Sequence, residues 1–136
     1  MALIFYAEDD SLMGELVQAT LLDAGHAVGV LGDGEDALRA LRRRKPDLAI
    51  VDMAMPQISG SELIKIVRRD PELYAIPILV LTARRSAEDE AIARQAGANG
   101  YLRKPFEPER LVSMVNQLLE WSRTREAPKP PEERAL

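Results

Sequence analysis

Cysteine is absent from the 136-residue chain, which excludes disulfides and thiolate metal sites and fits a reducing compartment. Long apolar runs are absent too. None approaches the roughly 20 residues that cross a bilayer, and the N-terminal MALIFYAEDD lacks the basic stretch and small-residue cleavage site of a secretory signal. These absences predict a cytoplasmic protein with no membrane partner. Nor is there an excess of positive charge: 18 Lys and Arg face 22 Asp and Glu, for a net charge of −4. Nucleic-acid binding rests on cations neutralising phosphates, so direct nucleic-acid binding is not expected. The one basic cluster, Arg39, Arg42, Arg43, Arg44 and Lys45, ends a helical pattern, where cations suit the helix dipole and face water. No internal repeat is visible.

What is present suits one ordinary domain, with 46% apolar residues to build a core. Five short apolar runs, at 2–7, 27–31, 48–51, 76–81 and 99–102, alternate with helical patterns at 11–24, 34–44, 60–69, 86–97 and 107–124. The runs are nearly continuous in apolar residues, as in strands buried on both faces. Asp10, Ser11 and Ser86 are the N-cap candidates. Gly25 and Gly97 stand where helices end, Asp33-Gly34 and Pro46-Asp47 punctuate loops, and Pro108 suits a first helical turn. The alternation predicts an α/β, doubly wound, five-stranded parallel sheet with five helices. The folded domain is expected over 1–123. Residues 124–136 are polar and proline-rich, and read as a disordered tail or linker.

Chemistry-bearing residues close four of these runs. Glu8, Asp9 and Asp10 follow the first, Asp52 the third, Thr82-Ala83 the fourth and Lys104-Pro105 the fifth. In an open parallel sheet the C-terminal strand ends converge on one edge, where ligands bind. Glu8, Asp9 and Asp52 offer hard oxygen ligands to a small dication, whose charge would relieve their repulsion. Read alone, the first acids better suit the start of the first helix, through capping and the dipole. Asp52 can act as a carboxylate nucleophile and form an acyl phosphate, and Met55-Pro56…Gly60 turns the chain back behind it. The Thr82 hydroxyl can donate to a phosphoryl oxygen, small Ala83 leaves access, and the Lys104 ammonium can pair with phosphate or carboxylate.

With these strings in this order, the chain resembles the receiver domain of two-component response regulators over residues 2 to about 122. The matching strings are Glu8-Asp9, Asp52…Met55-Pro56…Gly60, Thr82-Ala83, Gly97-Ala98…Tyr101 and Lys104-Pro105-Phe106. The resemblance implies a flavodoxin-like sheet of strand order 2-1-3-4-5. It implies that Asp52 accepts a phosphoryl group from a histidine kinase or histidine phosphotransfer protein. It implies Mg²⁺ held by Asp9, Asp52 and the backbone carbonyl of Ala54, with Glu8 acting through water. Thr82, Ala83 and Lys104 would contact the phosphate, and Thr82 and Tyr101 would form a switch pair. The output would pass through the fourth helix, fifth strand and fifth helix to a protein target or a second copy. Such a domain is not an enzyme in the ordinary sense, although it catalyses its own Mg²⁺-dependent phosphorylation and dephosphorylation.

Some positions depart from common subfamilies. Receivers of the winged-helix transcription-factor class usually pair through acids before the strand-5 tyrosine and an arginine on the last helix. Asn99, Gly100 and Met114 stand there, against a salt-bridged dimer of that kind. Ala54 and Arg84 line the rim of the expected phosphoryl site. Ala54 also argues against a haloacid-dehalogenase-type phosphatase, which needs a second Asp two residues after its nucleophile. Glu8-Asp9-Asp10 argue against a flavodoxin-like cofactor binder, because acids after the first strand repel a phosphate. On the last helix, Leu111, Val112, Met114, Val115, Leu118, Leu119 and Trp121 span about 180°, wider than the roughly 100° a helix on a sheet needs. Val112 and Leu119, or Trp121, could therefore form a partner surface.

Overall fold

The computed structural model describes residues 1–83 and 87–131. Five strands, β1 (Leu3–Ala7), β2 (Ala27–Leu31), β3 (Leu48–Val51), β4 (Ile78–Thr82) and β5 (Gly100–Arg103), alternate with five helices. These are α1 (Ser11–Asp23), α2 (Gly34–Arg43), α3 (Gly60–Arg69), α4 (Ala87–Ala96) and α5 (Pro108–Thr124). The sheet is parallel throughout, with order β2-β1-β3-β4-β5, as the sequence predicts.

Alternation along the strands splits the core into two layers. Ile4, Tyr6, Leu48, Ile50, Leu79, Leu81 and Leu102 pack with Val17 and Leu21 of α1 and Leu111 and Val115 of α5. Ala7, Ala49, Val51, Ile78, Val80 and Tyr101 pack with residues of α2, α3 and α4. The width of the apolar arc on α5 has a structural cause. Val112, Met114, Leu118 and Leu119 are half-buried against the first layer, and α5 packs on α1 as well as on the sheet. Only Trp121 of that arc is exposed, at 41%.

Caps set the helix ends. Asp10, not Ser11, is the N-cap of α1, and its carboxylate accepts from the N–H groups of Leu12 and Met13 at 3.0 and 3.2 Å. Ser86 lies outside the described residues. The first helix closes at Gly25, φ +95°, where His26 N–H donates to Leu21 and Gly25 N–H to Leu22. Gly97, φ +124°, ends α4 the same way through Ala98 and Ala93, the paired reverse bonds of a Schellman ending.

At the opposite edge from the acids, one arginine joins several elements. Arg68, at the end of α3, donates through Nε to the Gly97 carbonyl at 3.0 Å. Its Nη1 donates to the carbonyls of Tyr74 and Ile76, at 2.8 and 2.7 Å. Its Nη2 donates to Asn99 Oδ1 at 2.8 Å, and that oxygen also accepts from the Ile78 N–H at 2.8 Å. Asn99 therefore serves inside the fold, at a position where the winged-helix class uses an acid for pairing. Beyond α5, Arg125 donates to the Ala75 carbonyl at 2.7 Å and lies 4.1 Å above the Trp121 ring. The polar segment is thus held to the base of the sheet at its first residues.

Candidate functional site

The hydrogen-bond ladder runs past the strand ends and fixes the backbones of the site residues. Glu8 N–H donates to Leu31 at 2.9 Å, Asp52 N–H to Ala7 at 3.1 Å and Lys104 N–H to Thr82 at 2.8 Å. Each is the last rung between two neighbouring strands, so the crevice inherits the rigidity of the sheet. Gly60 completes the turn behind Asp52. A Cβ there would lie 2.3 Å from the Asp52 carbonyl oxygen, and Gly60 N–H donates to Met53 at 3.1 Å. Only glycine allows that approach, which explains the Gly60 of the motif. Between them Gln57 adopts φ 68°.

These elements bring Glu8, Asp9 and Asp52 together, with one carboxylate oxygen of each within 4.8 Å of the others. Glu8 and Asp52 are 3% and 6% exposed, while Asp9 faces solvent. Lys104, the first residue of the cis Lys104–Pro105 bond, places Nζ 2.5 Å from Glu8 Oε1. Of the two partners expected for its ammonium, the structure shows the carboxylate. The hydroxyl of Tyr6 donates to the same Oε1 at 2.6 Å, and the Asp10 N–H donates to Oε2 at 3.3 Å. The sequence reading missed Tyr6. The signal was available: Tyr6 and Glu8 are two residues apart on one strand, hence on one face, and a buried phenol seeks a partner.

Burial and the negative charge of Glu8 push Asp52 up to about 6, partly offset by Lys104 and the Ala54 N–H. Burial would raise Glu8 too, but the bonds from Lys104 and Tyr6 outweigh it and hold that carboxyl below its ordinary value. The donor set fits a small hard dication. All three side chains offer oxygens, and a positive ion would reverse the unfavourable charging of Asp52.

Thr82 is the last residue of β4 and is 1% exposed. The expected strand 76–81 is displaced because Pro77 has no N–H for a ladder, and pairing starts at Ile78. Tyr101 is 7% exposed and belongs to the layer under α3 and α4. The ring is thus already inward. Ala54 and Ala83 are exposed at the mouth, and Arg84 lies outside the described residues.

Residues 4–116 match the response regulator receiver domain family. This chain belongs to that family. Among curated relatives, the DNA-binding response regulator MtrA of Mycolicibacterium paratuberculosis is 34% identical over 116 residues, covering 85% of this chain and 50% of the relative. The receiver thus spans about half the length of the curated relatives it matches. Among solved structures, the chemotaxis response regulator CheY4 of Vibrio cholerae has a TM-score of 0.82 at 35% identity, covering 87% of this receiver and 98% of that chain. The receiver domain of the sensor histidine kinase PA1611 from Pseudomonas aeruginosa, solved with a magnesium ion in its active site cleft, has a TM-score of 0.82 at 28% identity, covering 88% and 98%. No helix among the described residues is long and apolar enough to cross a membrane.

Proposed function

We propose that this receiver accepts a phosphoryl group on Asp52 from the phosphohistidine of a histidine kinase or phosphotransfer protein and signals the change through α4, β5 and α5. The observation that carries the reading is the convergence of Glu8, Asp9 and Asp52 within 4.8 Å, with Lys104 against Glu8. An Asp52 carboxylate oxygen attacks phosphorus. The P–N bond of the donor breaks, its electron pair returns to the imidazole, and the imidazole takes a proton. Mg²⁺, when bound, neutralises charge on the phosphoryl oxygens; Asp9, Asp52 and the Ala54 carbonyl would hold it, with Glu8 acting through water. The protein's part is positioning and charge stabilisation, which is most of what phosphoryl transfer needs.

Lys104 leaves Glu8 for a phosphoryl oxygen, and Thr82 and the Ala83 backbone contact the same group. The hydroxyl of Thr82 is drawn toward the phosphate, and the inward position of Tyr101 is stabilised beside it. This is a population shift between two packings of one surface. The same site supports self-phosphorylation by small donors and later hydrolysis by an in-line water. Ala54 offers that water no polar side chain. The surface then meets a downstream protein or a second copy. Acetyl phosphate or phosphoramidate with Mg²⁺ should add one phosphoryl group, read by intact mass. Undiminished labelling of Asp52→Asn would refute the assignment.

A further inference from the structure

Glu8 accepts from Tyr6, Lys104 and Asp10, and its two oxygens are bonded unequally. Oε1 takes both strong donors, the Tyr6 hydroxyl at 2.6 Å and Lys104 Nζ at 2.5 Å. Oε2 accepts from the Asp10 N–H at 3.3 Å, a weaker bond, and the Glu8 carboxyl also meets that of Asp52. Tyr6 is fully buried among Val17, Leu21, Ile50 and Leu111, so its ring has one place to be and its hydroxyl one carboxylate to reach. Burial, then the bond to Glu8 and the nearby acids, raise the Tyr6 pKa and keep the phenol a donor.

We infer that Tyr6 is a positioning residue for the dication site: its hydroxyl clamps Glu8 by Oε1 and leaves Oε2 as the oxygen offered to the ion's water. The inference rests on the proposed function. It also gives the phenol a task that Lys104 cannot perform. Lys104 must release Glu8 to reach a phosphoryl oxygen, whereas Tyr6 is fixed in the core and keeps the clamp closed throughout. The pairing depends on side-chain length. The extra methylene of glutamate lets the carboxylate fold back along the strand to Tyr6, and an aspartate at position 8 falls short. Partners that orient a metal-ligating group are worth 10- to 100-fold in affinity, and one acting through water should be worth less.

Mg²⁺ titration of the full chain by calorimetry, at fixed pH and ionic strength, tests this. Tyr6→Phe, which removes one oxygen, should weaken Mg²⁺ binding roughly three- to tenfold. In a Glu8→Asp background the same change should alter it less than twofold, because the clamp is already gone. Tyr6→Leu should show the same dependence on residue 8, so a defect specific to the phenylalanine variant cannot imitate the result. Circular dichroism should show each variant folded. Affinity of Tyr6→Phe within twofold of wild type, or an equal loss in both backgrounds, would overturn the inference and leave the metal reading intact. Failure of the wild type to bind Mg²⁺ would overturn both.

Discussion

The two faces of the sheet deliver different chemistry to the same edge. On the face covered by α1 and α5, alternation carries Tyr6 to Glu8 and Ile50 to Asp52, and Lys104 comes in beside them. On the face covered by α3 and α4, it carries Ile78 and Val80 to Thr82, with Tyr101 next in that layer. Glu8, Asp52 and Lys104 belong to the first face; Thr82 and Tyr101, the proposed switch pair, belong to the second, and Asp9 follows Ala7 of that second layer. In the proposed function, a period of two residues would thus separate the groups that take up the phosphoryl group from those that respond to it, although they share one crevice. The sheet would be the wall between them, and a phosphoryl group at its end would touch both.

The sharpest way to break this division is to cut each face in turn. Asp52→Asn should remove labelling by acetyl phosphate altogether. Thr82→Val and Tyr101→Leu should keep labelling within about tenfold of wild type, about 1.4 kcal/mol of barrier, while losing the change in Trp121 fluorescence that phosphorylation is expected to cause in the wild type. Labelling of Thr82→Val as poor as that of Asp52→Asn would abolish the distinction.

A second test is stability against pH in buffer with EDTA. Asp52 is pushed up to about 6 from an ordinary 3.8. Between those values the folded protein holds a proton that the unfolded chain has released. Stability from this group therefore falls as pH rises through that window, by on the order of 2–3 kcal/mol at most. Glu8, held low, has the opposite sign: its contribution is present at neutral pH and is lost as pH falls. Urea unfolding at about pH 4.5 and about pH 7 should show the Asp52 loss in wild type and not in Asp52→Asn. Equal pH dependence in both would remove Asp52 as its source.

The smallest effect lies between the faces. Gln57, at φ 68° in the loop from Asp52 to α3, carries the roughly 1–2 kcal/mol disfavour of a left-handed side chain. Gln57→Gly relieves it but gives the unfolded chain more freedom. A net gain of about 0.5 kcal/mol in urea unfolding is expected, with labelling unchanged. A loss of stability would show that the Gln57 side chain holds the loop.

The sheet, its order and the convergence of Glu8, Asp9 and Asp52 were legible because these acids close apolar runs, and a run's end is a local signal. Asp52 and Gly60 were readable as a turn within one short string. Less legible were features that depend on what a neighbour does. Asp10 caps α1 in preference to Ser11 through the reach of its carboxylate. The broad arc of α5 looked like a surplus until α1 proved to be its second neighbour. The clamp of Tyr6 on Glu8, and that of Arg68 on Asn99, Tyr74 and Gly97, need side-chain length and direction, which a pattern of apolar residues does not carry.

The Arg68 clasp has a mechanical consequence. It ties the C-terminal end of α4, through the Gly97 carbonyl, to α3 and to the approach to β4, while α4 begins at Ala87 on the side of Thr82. A rod held in this way at its end pivots there more readily than it slides. At 1.5 Å per residue, the ten residues of α4 make a lever of about 15 Å. In the proposed function a nudge at the Thr82 end would become a tilt about a fulcrum at Gly97, largest where the helix starts and vanishing where it stops. A partner gripping the first turns of α4 would feel the signal, and one gripping its last turn would not.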